Sequence, residues 1–259
     1  MSSKNSFPKT SPIKAIFLDM DETLCDTKGA DRKLQVWIVE TLLVDYFGSI
    51  SKRKEWAKNF ILGIYKKYEY QTILAYAKSS EERDFRISLI MYLFDRFDMS
   101  CSYEKGAELL NIISEKRMEF FNFFNGVSEL LIKLRKNYSL IVITNGPVLS
   151  QVPKLSAVKM ENFVDHIIIG GEEPHEKPHP SIFQKALGLA VLNSKEVIHV
   201  GDSYEADIKG ASSVGIKSVW VNNECSRERL AKGNADFVIK SVLELPVIIS
   251  KIDKGNNDQ

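Results

Sequence analysis

Two carboxylates stand one residue apart at the end of a short apolar segment near the start of the chain. The segment runs from Ala15 to Leu18, and Asp19 and Asp21 follow it. A short apolar run that ends at a turn signal predicts a strand buried on both faces. Neighbouring carboxylates repel one another unless a cation or a proton lies between them. The pair therefore predicts a Mg²⁺-assisted nucleophile, Asp19, beside an acid/base partner, Asp21; the alternative is an ordinary strand end followed by a helix cap.

Further polar residues follow other predicted strands: Thr144 and Asn145, Lys177 in a loop, and Asp202 with Asp207. Parallel strands bring their carboxyl ends to one edge of a sheet, so these side chains are expected to meet there. Carboxylates, a lysine and a hydroxyl in one pocket suit phosphoryl transfer, which depends on positioning and on charge neutralisation. Each residue also has an ordinary structural interpretation, as a turn, a solvated charge or a helix cap. Their joint occurrence at strand ends favours the functional one.

The elements that position these residues separate into two patterns. From about Gly29 to Asn125 the apolar spacing is helical, with one helix expected to start at Ser80. From Val127 onward, predicted helices and strands alternate, which is typical of a parallel sheet covered by helices on both faces. We therefore expect an α/β protein with a core formed by residues 1–27 and 126–259. An all-helical domain of residues 28–125 is expected to be inserted after the first strand.

Composition limits the class of protein. The chain has 259 residues, of which 44% are hydrophobic and 27% charged, with a formal net charge of +1. These values are ordinary for a soluble globular protein, and they give no reason to expect a nucleic-acid or membrane partner. Three scattered cysteines, Cys25, Cys101 and Cys225, predict reduced thiols and a cytoplasmic location. The sequence carries no signal for the oligomeric state.

Taken in order, the polar motifs resemble those of the haloacid dehalogenase superfamily, in its phosphatase branch. The family's Asp-x-Asp-x-Thr motif corresponds to residues 19–23, and its strand ending in threonine corresponds to residues 141–146. Its lysine corresponds to residues 177–178, and its Gly-Asp-x4-Asp motif corresponds to residues 201–207. The resemblance spans roughly residues 14–221 and implies a Rossmannoid core with a helical cap between the first and second motifs. The acid at Asp21 argues against two other branches, because dehalogenases lack an acid there and cation pumps carry threonine.

The resemblance also implies a role for each residue. Asp19 would be the nucleophile, and Asp21 would be the general acid and then the base. The phosphoryl oxygens would be held by Thr144, Asn145 and Lys177. Mg²⁺ would be bound by Asp19, the Asp21 carbonyl and Asp202, with Asp207 in support.

A narrower resemblance concerns the substrate. Residues 26–30, 170–172, 176–183 and 241–246 are similar to the phosphatases of N-acylneuraminate 9-phosphate. We therefore expect a small phosphorylated metabolite, such as that sugar phosphate. A nucleoside 5′-monophosphatase is the alternative, and a phosphomutase or a non-catalytic binding protein is less favoured. Arg83 and Arg86, near the predicted helix start, are candidates for pairing with a substrate carboxylate.

Overall fold

The structure is a computed structural model, and it describes residues 13–77, 79, 81–222 and 235–255. The predicted helix start at Ser80 and the thiol of Cys225 lie outside these residues. Cys25 is buried and Cys101 is partly exposed, and these two cysteines do not form a disulfide with each other. In the described part of the chain, every helix is too short or too polar to span a bilayer.

The described residues divide into two compact units. The first, which we call the sheet unit, comprises the chain up to Cys25, Phe123–Gln151 and the chain from Val158 onward. The second, the helical unit, comprises Asp26–Asn122 and Val152–Ala157. The helical unit thus enters the sequence after the first strand.

The sheet unit is built on one parallel sheet. Its six strands lie in the order β3-β2-β1-β4-β5-β6. They are β1 (Ala15–Leu18), β2 (Ser139–Thr144), β3 (His166–Ile169), β4 (Val197–Gly201), β5 (Lys217–Val221) and β6 (Phe237–Ile239). All four residues of β1 are fully buried, which confirms a central strand covered on both faces. In register, Leu18 pairs with Val142 of β2 and with Val200 of β4, so the ends of these three strands lie side by side.

Helices of both units follow the apolar periodicity. The helical unit contains α1 (Thr27–Trp37), α2 (Ile50–Ile64), α3 (Tyr70–Tyr76), α4 (Glu82–Asp95) and α5 (Tyr103–Phe120). After these come α6 (Val127–Leu134), α7 (Val148–Ala157), α8 (Pro180–Ala190), α9 (Gly210–Ser213) and α10 (Leu245–Gly255). The core of the helical unit combines aliphatic and aromatic side chains; for example, Trp56 and Phe60 stack at a centroid distance of 5.4 Å.

Among the described residues, two stretches of helix are not regular, and one of them, Ile38–Leu42, continues α1 as a π-helix. The sequence predicts a helix over residues 204–214, but Tyr204–Lys209 forms a π-helix that precedes α9. The amide of Ile208 donates to the carbonyl of Ser203, five residues earlier. Such π-turns occur mostly within helices and frequently at functional sites. This one carries Asp207.

Candidate active site

The polar residues predicted from the sequence meet at one edge of the sheet unit. Asp19 follows β1, Thr144 ends β2 and Asp202 follows β4, the three strands that lie side by side. Lys177, in the loop before α8, reaches the same place, because its Nζ lies 2.7 Å from the Oδ1 of Asp19. The carboxyl ends of parallel strands are where open α/β sheets bind ligands.

Lys177 joins two buried carboxylates. Its Nζ donates to Asp19 and, also at 2.7 Å, to the Oδ1 of Asp207. The side chains of Lys177 and Asp207 are each 1% exposed, so the contact is shielded from water. One ammonium group cannot neutralise two ionised carboxylates, so one of the two acids is favoured in its neutral form.

Because one ammonium group faces two carboxylates, the pKa values of Asp19 and Asp207 move in opposite directions. Burial raises the pKa of Asp19 to about 8, against the lowering effect of the Lys177 charge. Burial also acts to raise the pKa of Asp207, but the Lys177 charge and the hydrogen bond from His199 prevail and lower it to about 2. A nucleophile must be ionised, so Asp19 needs a further positive charge in order to act at neutral pH.

Asp207 is held by more partners than the sequence suggested. His199 Nε2 lies 2.9 Å from its Oδ1, and the amide of Ser203 donates to its Oδ2 at 3.0 Å. Burial lowers the pKa of His199, so the ring is neutral and Nε2–H is the donor. Gly201 makes this packing possible, because a Cβ there would lie 2.1 Å from the Asp207 Cγ. His199, which belongs to β4, is fully buried and orients Asp207.

Asn145 and Thr144 differ in what their side chains do. The Asn145 amide donates to the Lys177 carbonyl at 2.7 Å and accepts from the Lys177 amide at 2.9 Å, which fixes the backbone of the lysine loop. The Thr144 hydroxyl is buried and has no hydrogen-bond partner among the described residues. Buried polar atoms are rarely left unpaired, so a phosphoryl oxygen is a suitable partner for this hydroxyl. Direct contact of Asn145 with a phosphate stays a prediction.

Asp21 is half-buried, in the turn that follows Asp19. The next residue, Glu22, has a positive φ of 62°, and its amide donates to the Cys25 carbonyl at 2.9 Å. The amide group of Gln151 lies 3.3 Å from the Oδ2 of Asp21. No motif in the sequence singled out Gln151, since its role depends on a contact across 130 residues of chain.

The acidic residues supply a donor set that fits a hard cation. One carboxylate oxygen from each of Asp19, Asp202 and Asp207 lies within 4.8 Å of the others. Carboxylate oxygens are the ligands that Mg²⁺ prefers. With all three carboxylates ionised, the one ammonium group would leave two negative charges, which a divalent cation would balance. Both oxygens of Asp207 already accept hydrogen bonds, which favours Asp19 and Asp202 as the direct ligands.

The two predicted substrate arginines lie on α4 of the helical unit. Arg83 is exposed and donates to Asn111 at 3.1 Å. Arg86 is buried, and its Nε donates to Glu82 at 2.9 Å. Contact of either arginine with a substrate stays a prediction, and the burial of Arg86 beside Glu82 favours a structural role for it.

A second buried ion pair of the helical unit was not predicted from the sequence. The Arg117 Nε donates to the Oδ1 of Asp31 at 2.7 Å, and the Tyr65 hydroxyl donates to Oδ2 at the same distance. Arg117 and Asp31 lie 86 residues apart, so the pair connects α5 to α1.

Comparison with known proteins gives a family match and several relatives. A family model described as haloacid dehalogenase-like hydrolase matches residues 16–221, which is more than half of the chain. N-acylneuraminate-9-phosphatase of Mus musculus is 30% identical, over 94% of this chain and 96% of its own length. Glyceraldehyde 3-phosphate phosphatase of Pyrococcus furiosus is 28% identical, over 94% and 95%. The crystal structure of the HAD-hydrolase YfnB from Bacillus subtilis, bound to magnesium, superposes with a TM-score of 0.66 at 18% identity, covering 92% of this chain and 99% of that one.

Proposed function

The chain belongs to the haloacid dehalogenase-like hydrolase family and is a phosphoric monoester hydrolase, and from this premise we propose that it works through Mg²⁺ and a phosphorylated Asp19. The observation that carries the proposal is the buried contact of Asp19 with Lys177, with Asp202 and Asp207 close by. A carboxylate nucleophile in that setting has a neutralising partner in Lys177 and two further carboxylates with which it could share a cation.

In the first step, an Asp19 oxygen attacks phosphorus and the bond from phosphorus to the leaving oxygen breaks. Asp21 gives its proton to that oxygen, so an alcohol departs and Asp19 carries the phosphoryl group. In the second step, Asp21 takes a proton from water and the water oxygen attacks phosphorus. The bond from phosphorus to the Asp19 oxygen breaks, so phosphate leaves and the Asp19 carboxylate is restored. Lys177 and the Thr144 hydroxyl stabilise the phosphoryl oxygens.

Mg²⁺ would be held by Asp19, Asp202 and the Asp21 carbonyl, with Asp207 in support. When bound, it neutralises charge on the phosphoryl group and keeps Asp19 ionised. His199 and Ser203 keep Asp207 in place, and Asn145 keeps Lys177 in place. These contacts support a site organised before the substrate arrives.

The proposed substrate is a small sugar phosphate, with N-acylneuraminate 9-phosphate first. Support comes from the identity with the mouse N-acylneuraminate phosphatase over nearly the full length of both chains. The Pyrococcus relative, named for a three-carbon sugar phosphate, favours glyceraldehyde 3-phosphate as the second candidate.

The helical unit is proposed to act as the cap that selects the leaving group, and the enzyme is proposed to act in the cytoplasm.

The test is phosphate release in the presence of Mg²⁺ across a panel of phosphomonoesters. The panel contains N-acetylneuraminate 9-phosphate, glyceraldehyde 3-phosphate, hexose phosphates and nucleoside 5′-monophosphates. We expect the highest kcat/KM on N-acetylneuraminate 9-phosphate, with activity abolished in Asp19→Asn. The matched control is Asp45→Asn, since Asp45 is exposed. A preference for nucleotides would refute the proposed substrate. Release of phosphate by Asp19→Asn at the wild-type rate would refute the proposed role of Asp19 as nucleophile.

A further inference from the structure

Gln151 is a buried polar residue on α7 with no role in the chemistry derived so far. Its side chain is 4% exposed. The Nε2 group donates to the carbonyl of Asn145 at 2.7 Å and to the Oδ2 of Asp21 at 3.3 Å. A side-chain amide nitrogen carries two hydrogens, so one is available for each acceptor. Gln151 therefore links the backbone after β2 to the carboxylate after β1.

The two acceptors fix the orientation of the Gln151 amide. With nitrogen and oxygen exchanged, Oε1 would face a carbonyl oxygen and a carboxylate oxygen at these same distances, and it would be repelled by both. In the observed orientation, Oε1 is buried and has no hydrogen-bond partner within the part of the chain that the structure describes. An apolar side chain would avoid this unpaired acceptor. What glutamine adds at this position is the pair of hydrogens on Nε2.

The backbone next to the site leaves room for this amide. Gly146 has a φ of 113°, and a Cβ on it would lie 2.7 Å from the Gln151 Nε2. Any other residue there would push the amide away from Asn145 and Asp21, besides straining the backbone. The absence of a side chain at residue 146 thus serves the placement of Gln151 as well as the turn.

We propose that Gln151 is a positioning residue for Asp21, and this inference rests on the proposed role of Asp21 as general acid and base. In a neutral carboxyl group the carbonyl oxygen is the better acceptor, so the hydrogen bond donated to Oδ2 favours the proton on the other oxygen, Oδ1. The same bond holds the carboxyl plane in one rotation about its χ2 angle. Oδ1 then passes its proton to the departing oxygen in the first step and receives a proton from water in the second.

The experiment compares two substrates of nearly equal size that differ in their need for a proton. The phenolate of phenyl phosphate leaves poorly without protonation, whereas p-nitrophenolate leaves readily. The quantity measured is kcat/KM with Mg²⁺, which covers the steps up to departure of the leaving group. Gln151→Met keeps the length of the side chain without the donor, and Gln151→Glu keeps its length and polarity but, when ionised, has no hydrogen to donate. Gln184→Met is the matched control, because Gln184 is an exposed glutamine on α8.

We expect Gln151→Met to lower kcat/KM on phenyl phosphate about 10-fold or more, since a misplaced catalytic group costs up to about 100-fold. On p-nitrophenyl phosphate the loss should stay below about 3-fold, because proton donation contributes little there. Gln151→Glu should show the same split, and Gln184→Met should match the wild type on both substrates. Melting temperature, with and without Mg²⁺, checks that each variant is folded.

An equal loss on both substrates in folded variants would overturn the inference, because Gln151 would then act on the structure as a whole. Unchanged kcat/KM on both substrates would overturn it too. Activity of the wild type and its loss in Asp21→Asn test the proposed function without any change at Gln151. Failure of those two controls would overturn the proposed function, whereas failure confined to the Gln151 variants would overturn this inference alone.

Discussion

Replacing Lys177 by methionine removes the ammonium group that joins Asp19 and Asp207 while keeping a side chain of similar length. Both contacts are 2.7 Å long, and the Lys177 side chain is 1% exposed, so water does not screen the charges left behind. Breaking a buried ion pair from one side costs about 3–5 kcal/mol in the free energy of unfolding. For a protein of this length, that corresponds to a melting temperature lower by roughly 10 °C at neutral pH.

The loss should depend on pH, with a sign fixed by the pKa shifts. In the wild type, the pKa of Asp207 is lowered to about 2, so its stabilising contribution is present at neutral pH and is lost only as the pH falls toward that value. Without Lys177, burial also raises the folded-state pKa of Asp207, so the variant takes up a proton there and gains stability as the pH falls. Proton uptake at Asp19, whose pKa is already about 8 in the wild type, occurs in both proteins. The difference in unfolding free energy between wild type and variant should therefore be larger at pH 7.5 than at pH 5.

Urea denaturation at the two pH values, in buffer that contains EDTA, measures this difference. Lys185→Met is the matched control, because Lys185 pairs with Glu173 but is 48% exposed, and an exposed pair contributes about 1 kcal/mol or less. The reasoning is refuted if Lys177→Met is as stable as the wild type at pH 7.5. It is also refuted if the deficit is the same at pH 5.

Two further predictions follow from packing and burial. Gly201→Ala should lower kcat at least about 10-fold, because the added Cβ would lie 2.1 Å from the Asp207 Cγ. Gly188→Ala on α8 is the control and should keep full activity, because no atom lies within 4 Å of its added Cβ. Equal kcat values in the two variants would contradict the prediction. Arg86→Met should lower the free energy of unfolding by about 2 kcal/mol through loss of the buried bond to Glu82, with Arg83→Met within about 0.5 kcal/mol of the wild type. If KM for N-acetylneuraminate 9-phosphate rises in Arg86→Met while stability does not change, Arg86 is a substrate ligand instead.

The sheet could be predicted because its signals are local. An apolar run such as Ala15–Leu18 is continuous when a strand is buried on both faces, and the polar residue after it marks the strand end. The edge that gathers Asp19, Thr144 and Asp202 follows from parallel pairing alone. The π-turn at Asp207 was not predictable, because an extra residue in a helical turn changes the hydrogen bonds without changing the apolar pattern.

The partners of the proposed catalytic groups could not be predicted because they are tertiary contacts. His199 and Gln151 belong to a strand and a helix whose apolar patterns do not depend on them. Only the folded chain shows that they bond to Asp207 and Asp21. The same holds for Arg86, which the sequence suggested as a partner of a substrate carboxylate. In the folded chain it is buried and donates to Glu82.

The most direct test of the account is to trap the phosphorylated residue. The protein is mixed with p-nitrophenyl phosphate and Mg²⁺ and quenched in acid within one turnover. Borohydride reduction then converts an aspartyl phosphate to homoserine, and mass spectrometry locates it. The account predicts homoserine at position 19, none at position 21, and no such product in Asp19→Asn. Steady phosphate release with an unmodified Asp19, or phosphate found on another residue, would contradict it.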